Sequence, residues 1–101
     1  MGLRDMPLEN HYSGDKAFRA FASTPDAKLD AQLNGWCGKA ELIELCGGDE
    51  LLARAVFYVW YTHALDYMRN SIPALDGLSP VECLKTKSGM KRLKECLLRT
   101  P

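Results

Sequence analysis

The feature that most constrains this chain is residues 50–69, which contain neither glycine nor proline and have almost no polar side. Asp49 precedes the stretch at an N-cap position, just after Gly47-Gly48. The pattern predicts one long helix from residue 49 to about residue 70. At 100° per residue, Leu52, Val56, Val59, Trp60, His63, Ala64 and Tyr67 share a broad face. Phe57, Tyr61 and Met68 extend that face, and Tyr58 and Leu65 lie beyond it. The polar strip is narrow: Glu50, Arg54, Thr62 and Arg69. A helix this apolar is either central in its own core or packed against a second chain. A 101-residue chain has little material with which to wrap it. A homodimer is therefore expected, with Phe57, Tyr58 and Tyr61 as its candidate face.

The flanking sequence reads as shorter helices. Residues 1–12 carry Gly2, Pro7 and mixed charges without a period, which predicts a flexible arm. Ser13 could cap a short helix bearing Ala17, Phe18 and Phe21. Thr24-Pro25-Asp26 reads as a second start, with Thr as N-cap and Pro at the first helical position. Leu29 and Leu33 then share a face, and Gly35 and Gly38 end the helix with Trp36 between them as a core anchor. Residues 39–46 give a short helix stopped by Gly47-Gly48.

Beyond the long helix, Ile72-Pro73 is a stop and Asp76-Gly77 a turn. Ser79-Pro80-Val81-Glu82 has the form of a capping box with Pro at the first helical position. Thr86 or Ser88 caps a last helix, with Met90, Leu93 and Leu97 inward and Lys87, Lys91 and Lys94 on another face. No segment alternates with period two. The expected fold is all-α: one domain over residues 13–101, a compact bundle of five or six helices with one long central helix.

Little in the sequence points to chemistry. Thirteen basic and thirteen acidic side chains cancel, which disfavours binding nucleic acid by bulk charge. The charge is nonetheless divided, with residues 1–60 net acidic and residues 61–101 net basic. No phosphate-binding glycine loop, nucleophile elbow or zinc-protease motif is present, so an enzyme is not expected. His11 and His63 belong to no His/Cys/carboxylate cluster with metal-ligand spacing, and no cofactor or metal is implied. Cys37, Cys46, Cys83 and Cys96 form no C-x-x-C pair. The first ten residues carry charges and no apolar run, and no stretch is long enough to cross a bilayer. These features suggest a cytoplasmic protein with free, partly buried thiols. Residues 25–46 could imitate a helix-turn-helix, but the would-be recognition helix offers Lys39 against Glu41 and Glu44. DNA binding through this chain is not expected, although a regulator of its own operon remains an alternative.

One stretch is more specific. Residues 66–89 read DYMRNSIPALDGLSPVECLKTKSG. Tyr67-Met68, Ile72-Pro73-Ala74-Leu75, Asp76-Gly77, Ser79-Pro80, Leu84, Thr86 and Gly89 fall in step, without a gap, with a known pattern. The stretch resembles the toxin-binding domain of the MbcA/ParS/Xre antitoxin family, where Trp-Leu is usual at Tyr67-Met68 and Gly-Gly at Asp76-Gly77. The resemblance extends more loosely over residues 49–101. Its structural positions here are Tyr67, Pro73, Leu75, Gly77, Ser79, Pro80, Leu84 and Gly89.

The resemblance implies an antitoxin that binds and neutralises a RES-type toxin, one that consumes NAD or transfers ADP-ribose from it. It implies no catalysis by the antitoxin, and commonly a dimer. Family resemblance and positive charge both sit at the C-terminal end, so Lys87, Lys91, Lys94 and Arg99 are the candidate partner-binding residues. Lysines there would form a charged rim, and Arg99 would be an inserted anchor. The remaining alternative is an adaptor homodimer that has lost its toxin.

Overall fold

The computed structural model describes residues 12–75 and 77–99. Residues 1–11 of the expected 1–12 arm (His11 among them), Asp76 of the expected turn, Thr100 and Pro101 lie outside the described residues. Among those described there is no strand, and the fold is all-α. The described residues form seven α-helices, in order α1 (Asp15–Ala22), α2 (Ala27–Asn34), α3 (Lys39–Leu45), α4 (Glu50–Trp60), α5 (Ala64–Arg69), α6 (Pro80–Cys83) and α7 (Lys87–Arg99). Short 3-10 turns at Tyr61–His63 and Pro73–Leu75 follow α4 and α5. If α4 and α5 count as one broken element, six helices remain, within the expected number. The radius of gyration, 13.2 Å, suits one compact domain of about 100 residues.

The long helix is the main correction. It begins as expected, with the Asp49 side chain accepting from Leu52 N–H at 3.1 Å, but it breaks at Tyr61. Tyr61 has φ 51° and ψ −129°. That is close to the first central residue of a type II′ turn, where glycine is normal. Such a conformation costs a side-chain-bearing residue about 1–3 kcal/mol. No local signal asks for it. The break lets α5 pack against α3, α4 and α6, so the apolar stretch is covered from several sides by its own chain. Leu52, Ala53, Ala55, Val56, Phe57, Ala64, Tyr67 and Met68 are all buried in consequence.

Arg54 is the second correction. The strip that placed it on a solvated face is overridden, and its side chain is only 14% exposed. Its guanidinium donates to Asp30 at 2.8 Å, to the Thr24 carbonyl at 2.7 Å and to the Ala22 carbonyl. One fork thus ties the C-terminal end of α1 and the side of α2 to α4. Two caps also differ from expectation. Asp26, not Thr24, caps α2, accepting from Leu29 N–H at 2.9 Å. Thr24 instead donates back to the Ala20 and Phe21 carbonyls at the end of α1. Ser13 does not cap α1; Gly14 is the N-cap.

Candidate functional site

The C-terminal segment is built around the turn after α5. Leu75 is 0% exposed and fills the turn from inside. Ile72 carbonyl accepts from Leu75 N–H at 2.9 Å and Gly77 N–H at 3.1 Å, while Ile72 N–H donates to the Leu78 carbonyl. Closing that loop needs φ +78° at Gly77, a value glycine reaches without strain. Ser79 then opens α6 with a complete capping box: its hydroxyl accepts from Glu82 N–H at 3.2 Å and its N–H donates to the Glu82 carboxylate at 2.9 Å. The bond from the Ser79 N–H, followed by the influence of the Ser79 hydroxyl, holds the Glu82 carboxyl below the usual range. Pro80 is buried, Leu84 half-buried and Pro73 exposed.

Thr86 caps α7, its hydroxyl accepting from Gly89 N–H at 2.9 Å. Gly89 is buried and lies directly against the backbone of Cys83. Tyr67, from α5, is buried beneath this unit. Its ring stacks on Trp60 at 4.6 Å between centroids, and its hydroxyl reaches Cys96 Sγ at 3.9 Å. Burial, with the Cys96 thiol beside it, raises the Tyr67 phenol well above its ordinary pKa.

The four candidate partner-binding residues fall into two pairs. Lys87 and Lys91 are exposed on α7. Lys94 is half-buried and Arg99 is exposed, and each pairs with a carboxylate of its own chain. The Lys94 ammonium lies 3.7 Å from Asp15 and 5.2 Å from the centre of the Phe18 ring, with its side chain only 17% exposed. Arg99 Nε donates to Glu95 at 2.7 Å. Arg99 is therefore already anchored to its own chain.

Glu95 is the residue that sequence reasoning missed. Its carboxylate is buried on α7 and accepts from Ser13 twice, from the backbone N–H and the hydroxyl, each at 3.0 Å. Burial pushes its pKa up, but the bonds from Arg99 and Ser13 outweigh this and hold it below the usual range. Its bond to Arg99 is local, but no local pattern reveals the bond to Ser13, because that partner is 82 positions away.

The candidate dimer face is also divided. Phe57 is 1% exposed and belongs to the chain's own core, against Trp36 at 5.2 Å. Tyr58 is half-buried and meets Phe21 edge-on at 5.4 Å. Tyr61 is 51% exposed. With Gln32, Gly35, Trp36, Phe57 and Thr62 it lines an open cleft of about 370 Å³. His63, expected on the buried face, is exposed in the 3-10 turn, because the break rotates it outward.

α2 and α3 are joined by residues 35–38 and have helix-turn-helix connectivity. The exposed side chains of α3 are Ala40, Glu41 and Glu44, while Lys39 donates to Asn34 at 2.7 Å. That face repels phosphate. None of the four cysteines is in a disulfide, and burial raises the Cys46 thiol to about 12. Among the described residues no His/Cys/carboxylate group has the geometry of a metal site. None of their helices is long and apolar enough to cross a membrane. Comparison with family models, characterised proteins and solved structures returned no match.

Proposed function

We propose that this chain is an antitoxin-like protein that binds and neutralises a RES-type toxin by protein–protein contact, without chemistry of its own. The observation that carries the reading is the unit from Tyr67 to Gly89. Within it, Leu75 is fully buried, Gly77 has positive φ, Ser79 and Glu82 form a reciprocal cap, and Gly89 abuts Cys83. Leu75, Gly77, Ser79 and Gly89 are positions on which the family resemblance rests, and each has a physical role suited to its residue type. An ungapped match at structurally demanding positions is a stronger argument than the same number of matches on a solvated surface.

The partner-facing surface in this reading is the exposed side of α7, with Lys87 and Lys91 as an electrostatic rim around an acidic cleft mouth. The acidic α3 face disfavours the operon-regulator alternative. The working compartment would be the bacterial cytoplasm.

The test is co-expression with a RES-type toxin encoded beside this gene. The full chain should restore growth and co-purify with the toxin. The charge-reversed Lys87→Glu/Lys91→Glu variant should fold normally and lose both. Failure of the full chain to protect or to co-purify would overturn the proposal.

A further inference from the structure

The apolar stretch and the break within it are in conflict. Every residue from 50 to 69 is compatible with one continuous helix, and none is glycine or proline. The chain nonetheless bends at Tyr61, which is the sole non-glycine residue with positive φ among those described. The cost of that backbone conformation falls at the joint between the two halves of the fold.

The contacts across that joint are extensive and specific. Residues 12–60 and 64–99 meet through α1 against α7, α3 against α5, and α4 against both α5 and α7. Ser13 is bonded to Glu95, Asp15 to Lys94 and Glu41 to Arg69. In each of these three the N-terminal half supplies one partner and the C-terminal half the other. A short, strained hinge between two complementary halves is the condition under which chains exchange halves.

We infer that this protein forms a dimer by exchanging residues 64–99 between two copies, with α4, Tyr61–His63 and α5 joined into one straight helix. Straightening returns Tyr61 to ordinary helical backbone. The contacts between halves are remade between copies rather than lost. A helix of about 20 residues spans about 30 Å, enough to carry each C-terminal half onto the partner copy. The occupant of the opened core is thus a second copy of this chain, specified by the net-acidic N-terminal and net-basic C-terminal halves. The inference stands independently of the proposed toxin partner.

The test uses the whole chain. Unlabelled and 15N-labelled protein are mixed, unfolded in denaturant and refolded at high concentration, and the dimer is isolated by sedimentation or size exclusion. A zero-length carbodiimide reagent then joins Lys94 to Asp15. In an exchanged dimer, about half of these links pair a light peptide with a heavy one by random mixing. Links confined to a single isotope, or a monomer at every concentration, would overturn the inference.

Hinge variants give a second readout. Tyr61→Gly removes the strain of the bend and disfavours the straight helix, so it should weaken dimerisation about tenfold or more relative to Tyr61→Ala. Both variants lose the ring, but only glycine tolerates the bend. Equal dimerisation by the two would show that hinge strain does not drive the exchange, and would also overturn it.

Discussion

A β-carbon on Gly89 would lie 2.1 Å from the carbonyl oxygen of Cys83. No side-chain rotation relieves that clash, because the obstacle is backbone. Gly89 is what allows α7 to approach the end of α6. Gly89→Ala should therefore cost about 1–3 kcal/mol or more by forcing the helices apart. Gly77 has open space where its β-carbon would be, but φ is +78°, so Gly77→Ala should cost about 1–2 kcal/mol from backbone strain alone. Urea unfolding of both variants checks the order, with Gly89→Ala the more damaging.

Leu75 is fully buried, and α7 packs on the 3-10 turn that carries it. Leu75→Ala should destabilise the chain by about 2–5 kcal/mol, the usual range for a large-to-small core change. Thermal or denaturant melts measure it directly. A loss below about 0.5 kcal/mol, the size of an ordinary surface effect, would mean that the turn is not held from within.

Arg54 makes a fork that lysine cannot reproduce, since its planar guanidinium reaches Asp30 and two backbone carbonyls at once. Arg54→Lys and Arg54→Met should each cost about 1.5–3 kcal/mol, because carbonyls at the end of α1 lose a charged donor. Equilibrium unfolding should place the two variants close together. If Arg54→Lys matches the parent, a single ammonium suffices and the fork is incidental.

Glu95, Asp15 and Asp30 are all held below the ordinary carboxylate range. For Glu95, burial opposes the shift and Arg99 and Ser13 produce it. For Asp15 the leading cause is the Tyr12 hydroxyl, then the Lys94 charge. For Asp30 it is the bond from Arg54. A depressed folded pKa gives stability that is complete above the unfolded value and lost as pH falls through the folded one. Urea midpoints measured from about pH 7 down to about pH 3 should fall across this range. Glu95→Gln should be less stable near neutrality and show a flatter profile. An unchanged slope would mean that the bond to Ser13 is not linked to proton uptake.

Lys87, Lys91 and Arg99 are exposed, but Arg99 pairs with Glu95 and the half-buried Lys94 with Asp15. Against a toxin partner, Lys87→Ala/Lys91→Ala should slow association and weaken its salt dependence, with dissociation little changed. Lys94→Ala and Arg99→Ala should instead lower stability. Stopped-flow or surface-binding kinetics at two salt concentrations, beside melts of each variant, separate the two pairs. Normal association by the double variant would move the partner surface away from the exposed side of α7.

By itself the sequence determined the helical class, the Asp49 cap, the Ser79–Glu82 capping box and the Gly77 turn. Each depends on residues within a few positions of one another, where periodicity, caps and φ preferences operate. The resemblance over residues 66–89 is legible for the same reason. The tertiary structure decided the rest. It broke the expected helix at Tyr61, because a stretch apolar on so many sides is better covered when α5 folds onto α3, α4 and α6. It turned Arg54 inward to carbonyls 30 and 32 positions away, moved Phe57 from a candidate interface into the core, and paired Lys94 with Asp15 of α1. The period of a helix states which residues share a face. It does not state which distant groups will meet that face, and those partners decide whether a side chain serves the core, an ion pair or a free surface.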